Sequence, residues 1–272
     1  IPPLGERAFT RITASAPGER ISRCVAEETP VAIEYDGLGY AVLMATPAEL
    51  DDLVLGFSLA ERLIDRAEQI AEISTHDVDR GIILRASLAP ECRPRVADRV
   101  RHRLSESSCG LCGIENLEQA LRPLPAINAG PPPADAALFG AVAALSDCQP
   151  LNRATGAMHA AALCGRDGDI RLVREDVGRH NALDKLIGHL AREDMSGRDG
   201  AVVMTSRLSV ELIQKTAKLG SAVLIGISAP TGLAIDMAGR AGMTLVALAR
   251  GDDYEIFTGS DRITLGAEAD AA

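Results

Sequence analysis

The chain has 272 residues, of which 47% are hydrophobic and 24% charged, which is typical of a globular protein with a sizeable core. Its net charge of −10 and its lack of tryptophan argue against nucleic-acid binding. No apolar run is long enough to cross a membrane, and residues 1–20 lack the apolar core of a signal peptide, so we expect a cytoplasmic protein.

The first half of the chain predicts a smaller α+β domain, which we assign to residues 1–122. Residues 30–46 contain two strands around an Asp36-Gly37 turn, a sequence that favours a hairpin. A helix should follow, with Thr46 as its cap and Pro47 in its first turn. The remaining predicted elements are strands near 69–75 and 81–88, a basic helix at 93–104 and a short helix from about Glu115.

Two cysteines, Cys109 and Cys112, lie two residues apart after the basic helix, and a glycine follows each of them. In a cytosolic protein such a pair more often performs chemistry or binds metal than staples the fold. The spacing alone leaves four interpretations open: a dithiol oxidoreductase, a structural zinc site, an accidental pair and a carrier of persulfide sulfur. The other four cysteines stand alone, and we expect them to be inert: Cys24, Cys92, Cys148 and Cys164.

A proline-rich linker, residues 123–133, separates this region from a second domain at 134–272. In that domain, strands alternate with helices, which predicts a mainly parallel sheet covered by helices on both faces. The predicted strands lie at 156–164, 170–175, 201–205, 222–228 and 244–249, and the predicted helices at 134–147, 177–191, 208–219 and 231–241. The fold class is therefore α/β.

The helix at 177–191 carries a polar arc formed by His180, Asn181, Asp184 and Lys185. The arc fits a solvated helix face, and it also fits a ligand site, because the start of a helix offers free N–H groups to an anion. Asp176 precedes the helix and should cap it.

Two further polar segments follow predicted strands, where ligands bind in open parallel sheets. Arg207 ends the segment Thr205-Ser206-Arg207 and is a candidate phosphate ligand. Arg250 is suited to bidentate pairing with a phosphate, and a nearby carboxylate could accept hydrogen bonds from a guanine edge. The second segment consists of Leu248, Ala249, Arg250, Gly251, Asp252 and Asp253.

Taken together, these segments resemble the FdhD/NarQ family of formate dehydrogenase accessory sulfurtransferases. The resemblance covers nearly the whole chain, and its most specific part is the run from Glu175 to Lys185. The other matching segments are Cys109–Gly113, Thr155–Ala161 and Thr205–Lys215.

The resemblance implies a function in molybdoenzyme maturation. A cysteine desulfurase would supply sulfane sulfur, which the protein passes to the molybdenum cofactor Mo-bis(molybdopterin guanine dinucleotide), bis-MGD, for apo-formate dehydrogenase. By position, Cys109 matches the persulfide-bearing cysteine, Cys112 its companion, and 248–253 the cofactor-binding stretch. Asp253 is a departure, because some members carry a basic residue there. We add Arg179, His180 and Arg207 as cofactor-binding residues, since an anionic ligand needs local donors.

The resemblance also implies a homodimer, and a larger domain with the three-layer fold of cytidine deaminases. The helix starts here hold Gly178-Arg179-His180 and Ser206-Arg207 in place of the motifs that bind catalytic zinc in deaminases, so we expect no permanently bound metal. Two other functions stay open: a zinc-dependent deaminase, and a non-catalytic chaperone that only ferries the cofactor.

Overall fold

The computed structural model describes residues 1–105, 124, 127, 130, 133–251, 253–264 and 266, with the backbone alone at 16, 17 and 101–105. Its first part contains six strands and two helices. The strands are β1 Leu4–Thr13, β2 Ala16–Ala26, β3 Thr29–Tyr35, β4 Leu38–Ala45, β5 Ile70–Val78 and β6 Gly81–Leu88. The helices are α1 Leu50–Ala60 and α2 Arg93–Ser105, with a 3₁₀ turn at Ala67–Gln69.

The second part, from residue 133 onward, contains six more strands and five helices among its described residues. The helices are α3 Asp135–Leu145, α4 Pro150–Thr155, α5 Arg179–Arg192, α6 Val210–Leu219 and α7 Gly232–Arg240. The strands are β7 His159–Gly165, β8 Ile170–Asp176, β9 Gly200–Met204, β10 Val223–Gly226, β11 Thr244–Arg250 and β12 Asp253–Thr258. Two 3₁₀ turns lie at Ser146–Cys148 and Ser260–Arg262.

Strands β3 to β6 form a four-stranded sheet in the order β4-β3-β6-β5. The predicted hairpin is confirmed: β3 and β4 pair antiparallel, and Asp36 and Gly37 both have positive φ, 47° and 82°. Positive φ at both central residues is what a tight hairpin turn between twisted strands requires. The α/β fold class is confirmed as well.

The second sheet has six strands in the order β12-β11-β10-β9-β7-β8, and it corrects the prediction of a mainly parallel sheet. Strands β9, β10 and β11 are parallel, but β7–β8, β7–β9 and β11–β12 are antiparallel pairs. The sheet is mixed because β7–β8 and β11–β12 are joined by short turns, and only a long crossover can join parallel neighbours.

Helices cover both faces of this sheet. Ala161 and Leu163 of β7 belong to a large cluster, the α5-side cluster, which also contains buried residues of α1, α5, α6, α7 and the four-stranded sheet. The alternate residues Ala160, Ala162 and Cys164 belong to a second cluster, the α3-side cluster. This alternation follows from the period of two along a strand, and it gives three layers. The closer likeness to cytidine deaminases stays a prediction.

The two parts of the chain meet where α1 crosses α5. A Cβ atom at Gly56 would overlap the carbonyl oxygen of Asp184, and one at Gly188 would overlap that of Asp52, so both positions need glycine. The α5-side cluster runs through this crossing from one sheet to the other without interruption. The proposed boundaries at 122 and 133 stay a prediction.

Strands β1, β2 and β12 and the short helix α4 were not predicted. In the part of the chain that the structure describes, no helix is long and apolar enough to span a bilayer.

Candidate functional site

The ends of several strands bring polar residues to one edge of the six-stranded sheet. Strands β9, β10 and β11 are parallel, and β8 runs in the same direction because β7 is antiparallel to both β8 and β9. Helices α5, α6 and α7 therefore begin at this edge, which we call the helix-start edge. In α/β sheets, ligands bind beyond the carboxyl ends of such strands.

The structure places the described candidate residues along this helix-start edge. Arg179 and His180 form the first turn of α5. Arg207 is exposed between β9 and α6, and Arg250 is exposed at the end of β11. Four strand spacings of about 4.8 Å separate β11 from β8, so a ligand that reaches both ends must extend about 19 Å. Three candidates, Cys109, Cys112 and Asp252, lie outside the described residues.

The guanidinium group of Arg179 contains an unsatisfied hydrogen-bond donor. Its buried Nε atom has no hydrogen-bond partner among the described residues. Helix α5 starts at Gly178 without a side-chain cap, so backbone N–H groups of its first turn are open as well. A charged donor and the positive end of a helix dipole together favour an anion.

His180 is neutral in this setting. Burial lowers its pKa to about 4, Lys215 and Arg179 act in the same direction, and Glu211 opposes them. The Nε2 atom of His180 lies 3.7 Å from a carboxylate oxygen of Glu211, across the gap between α5 and α6. A neutral imidazole can both donate and accept a hydrogen bond.

His159 lies at the same edge, and our sequence interpretation missed it as a site residue. It is the first residue of β7, opposite Asp176 of β8, and half-buried. Burial lowers the pKa of His159, and so does Arg179, whereas Asp176 raises it. Arg179 therefore lowers the pKa of two histidines, His159 and His180. The only signal in the sequence was the position of His159 within the family-like run 155–161.

The segment after β11 has an unusual backbone. Leu248 has φ of 55°, which is rare for a residue with a side chain, and its N–H donates to the Ser228 carbonyl at 3.4 Å. Arg250 donates from Nε to the Ile227 carbonyl at 3.3 Å, which ties this segment to the end of β10. Ala249 is buried in the α3-side cluster, so its side chain cannot face a ligand at the surface.

Gly251 and Asp253 complete the described part of this segment. Gly251 has φ of 57° in the turn, and Asp253 is exposed and pairs in register with Arg250. A carboxylate beside Arg250 reduces the positive potential there, as expected from the departure at position 253.

Three residues of the polar arc of α5, Asn181, Asp184 and Lys185, are buried and His180 is half-buried, which contradicts the interpretation of the arc as a solvated face. Lys185 is fully buried, with Nζ 2.7 Å from Asp176 Oδ2 and 3.1 Å from the Thr46 carbonyl. Asn181 donates to the Met44 carbonyl at 2.8 Å and to Asp176 at 3.0 Å. Buried charges occur where they are paired in this way, and this network fastens the loop before α1 to the start of α5.

Asp176 and Thr46, which we predicted as helix caps, have other main roles in the structure. Asp176 accepts from the Gly178 N–H at 2.8 Å but mainly holds Lys185, and Gly178 is the residue at the cap position. Thr46 does not cap α1, which starts after Glu49; its hydroxyl accepts from the Val177 N–H at 3.0 Å.

The buried Asp184 forms a second ion pair, with the half-buried Lys215 of α6 at 2.5 Å. Burial raises the pKa of Asp184 to about 6, against the opposing effect of Lys215. Its Oδ1 atom has no hydrogen-bond partner among the described residues. Lys215 is also one of the causes of the low pKa of His180.

Four cysteines fall within the described residues. Cys92 and Cys164 are buried, and burial raises the pKa of both thiols, to about 11 for Cys164. Neither is suited to be a nucleophile, because the thiolate is the reactive form. Cys24 and Cys148 are half-buried. Within the described ranges, no three His, Cys, Asp or Glu side chains form a group that could hold a metal ion.

Comparison with known proteins gives consistent matches over almost the whole chain. The model of the FdhD/NarQ family matches residues 26–264. A protein of Agrobacterium fabrum named sulfur carrier protein FdhD is 46% identical over 95% of this chain and 95% of its own length. A protein of the same name from Chromobacterium violaceum is 47% identical over 86% of this chain and 88% of its own length.

A solved structure has the same fold. It is the crystal structure of a protein from Desulfotalea psychrophila assigned as a formate dehydrogenase accessory protein. It matches with a TM-score of 0.76 and 24% identity, over 96% of this chain and all of the other.

Proposed function

The chain belongs to the FdhD/NarQ family, and we propose that it is a sulfur carrier that serves the maturation of formate dehydrogenase. The names of its relatives support the carrier role, and that of the solved structure with the same fold supports the accessory role. Beyond these names, we propose a persulfide on Cys109, a cysteine desulfurase as sulfur donor, and bis-MGD as the acceptor substrate. We also propose a homodimer and a cytoplasmic location.

The first transfer forms a persulfide. The Cys109 thiolate attacks the outer sulfur of the desulfurase persulfide; a new S–S bond forms at Cys109, and the desulfurase cysteine leaves as a thiolate. Cys92 and Cys164 are buried thiols with raised pKa values and are poor nucleophiles. Cys109 is proposed because its position matches that of the persulfide-bearing cysteine of the family.

The second transfer delivers the sulfur to molybdenum. The Cys112 thiolate attacks the Cys109 sulfur, a Cys109–Cys112 disulfide forms, and the terminal sulfur leaves as sulfide, which becomes a ligand of the metal. The two thiols supply the two electrons that reduce the sulfane sulfur, and an external dithiol resets the disulfide. The cofactor is the substrate of this step.

The single observation that supports cofactor binding best is the unsatisfied hydrogen-bond donor Nε of Arg179 at the start of α5. Phosphate groups fit such a position, and the exposed Arg207 and Arg250 extend the cationic edge. The span of about 19 Å between β8 and β11 suits an elongated dinucleotide more than a compact ligand.

Sulfur transfer is tested by intact-mass spectrometry after incubation with a cysteine desulfurase and cysteine. The wild type should gain the mass of one sulfur, and Cys109→Ala should gain none. Cys148→Ala, which removes a half-buried thiol, is the matched control and should behave as wild type. An adduct that survives Cys109→Ala would disprove the assignment of the persulfide to Cys109.

Cofactor binding is tested separately, with GDP as a fragment of bis-MGD. Arg179→Gln and Arg207→Gln should each weaken GDP binding about tenfold or more, whereas Arg166→Gln, in the exposed β7–β8 turn, should not. Cys109→Ser should keep GDP binding and lose formate dehydrogenase maturation. A cofactor chaperone without sulfur transfer would keep both.

A further inference from the structure

The β1–β2 hairpin, Leu4–Ala26, forms a ribbon that no other strand of the described chain joins. Not one of its described side chains is buried, and residues 6–13 are all exposed. It approaches the rest of the protein at α4. Two-stranded ribbons are at best marginally stable in water without packing on another surface. We therefore expect the ribbon to be stabilised by packing against another surface.

One face of the ribbon is both apolar and basic. Side chains alternate along a strand, so the face that carries Phe9 also carries Arg7 and Arg11 from β1. Their partners in the register are Arg23, Ile21 and Glu19, opposite Arg7, Phe9 and Arg11 respectively. We call these six residues the Phe9 face. Phe9 is 37% exposed at its centre.

The charges of the Phe9 face favour an acidic surface. Arg7 lies directly opposite Arg23, and like charges in that relation destabilise a strand pair. Arg7 pairs with Glu27, but Arg11 and Arg23 have no ion-pair partner among the described residues. Residues 4–26 hold four arginines and two glutamates in a chain of net charge −10, so the remainder of the chain is the acidic part.

The area that the ribbon can bury indicates whether one ribbon or two take part in the interface with an acidic surface. Ten residues at about 3.3 Å each give a ribbon about 33 Å long, and with a width of about 10 Å one face covers about 330 Å². A single docked ribbon then buries about 700 Å² over both partners, which is below the 1,200 Å² or so of a stable interface. Two ribbons exchanged between symmetric copies bury about 1,300 Å², which is enough.

We propose that the Phe9 face docks on the acidic body of a second copy of this chain, and that each copy of a homodimer receives the ribbon of the other. Pairing of ribbon with ribbon is disfavoured, because it would bring two basic faces together. This inference deepens the homodimer of the proposed function, and sulfur transfer does not depend on it.

The test measures the dimer dissociation constant of the full chain by analytical ultracentrifugation at low and high salt. Phe9→Ser should weaken the dimer about tenfold or more, because a central aromatic anchor is lost. Arg23→Glu is more decisive, since it places a carboxylate opposite Arg7. The change should stabilise the ribbon itself and still weaken the dimer, and it should reduce the salt dependence of dimerisation.

Two control variants test whether the effects are specific to the ribbon, and the melting temperature tests whether each variant folds. Met195→Ser removes an exposed apolar side chain elsewhere, and Arg166→Glu reverses an exposed charge in the β7–β8 turn; both should dimerise as wild type. A monomeric wild type would overturn the homodimer and this inference together. A dimer that Phe9→Ser and Arg23→Glu leave unchanged would overturn only the role of the ribbon. Unchanged melting of the monomeric form of each variant excludes misfolding as the cause.

Discussion

At the residue scale, the run from Glu175 to Lys185 combines two functions on one helix start. Asp176, Asn181 and Lys185 are buried and hold two parts of the chain together. Arg179 and His180 face the helix-start edge and are available to a ligand. Such buried charges are costly to break, about 3–5 kcal/mol when one partner is removed. The rigid base they form therefore fixes the position of Arg179.

The buried carboxyl of Asp184 should make stability depend on pH. Its pKa is about 6 in the folded protein and 3.8 in a free side chain, a difference of about 3 kcal/mol. The folded state binds the proton more tightly, so this stabilisation is complete below pH 3.8 and is lost as the pH rises through 6. Asp184→Asn should remove this loss, which urea unfolding between pH 4 and 7 would measure.

The variant must be compared with wild type at each pH, because His180 acts in the opposite direction. The pKa of His180 falls from 6.5 to about 4 on folding, so its contribution is present above pH 6.5 and is lost on acidification. Both proteins contain His180, and the difference between them isolates Asp184. Asp147→Asn, at an exposed position, is the control. A constant difference between wild type and Asp184→Asn across this pH range would contradict the assignment.

The sequence allowed part of the site to be predicted and concealed the rest for a physical reason. Arg179, His180 and Arg207 could be placed at helix starts because strand–helix alternation fixes where those starts lie. The burial of Asn181 and Lys185 could not be predicted, because their partners are the distant Thr46 and Met44. Polar residues at helical spacing give the same sequence pattern whether their hydrogen bonds go to water or to a distant loop.

At the element scale, the predicted strands and helices match the structure wherever apolar periodicity is strong. Strand β6, for example, was predicted at 81–88 and has those bounds. The ribbon was missed because β1 and β2 bury none of their described side chains, so no apolar face is selected and their sequences lack a clear alternation of apolar and polar residues. Strand β12 was missed although Tyr254 and Ile256 alternate with the exposed Asp253 and Glu255, a pattern that is typical of a strand.

The crossing of α1 and α5 depends on two glycines, which gives a prediction for these elements. Gly56→Ala and Gly188→Ala should each lower the free energy of unfolding by about 1–3 kcal/mol or more, because the added methyl meets backbone atoms that cannot move independently. Gly140→Ala in α3 is the matched control, since nothing lies within 4 Å of its Cβ position.

The control should change stability in the opposite direction. Alanine is preferred to glycine inside a helix by about 0.5–1 kcal/mol, so Gly140→Ala should raise the free energy of unfolding. Guanidinium chloride unfolding measures all three variants. If Gly56→Ala or Gly188→Ala proved as stable as Gly140→Ala, the helices would not be in the close contact described here.

At the scale of the whole molecule, the two sheets share one core. Leu84 of the four-stranded sheet and Leu224 of the six-stranded sheet belong to the same α5-side cluster and are both fully buried. The buried network around Lys185 adds a polar connection between the two parts. Chains of this length often unfold domain by domain, but a shared core favours cooperative unfolding of both sheets.

We therefore expect a core substitution in one sheet to destabilise the other by the same amount. Leu84→Ala should cost about 2–5 kcal/mol, as buried leucine truncations do. If unfolding is cooperative, the amides of β10 exchange only through global unfolding, and their protection should fall by the full cost. Hydrogen exchange with mass spectrometry measures this protection peptide by peptide, beside the urea unfolding of the same variant. Unchanged protection in β10, with loss confined to β3, β5 and β6, would show that the two sheets unfold independently despite their common core.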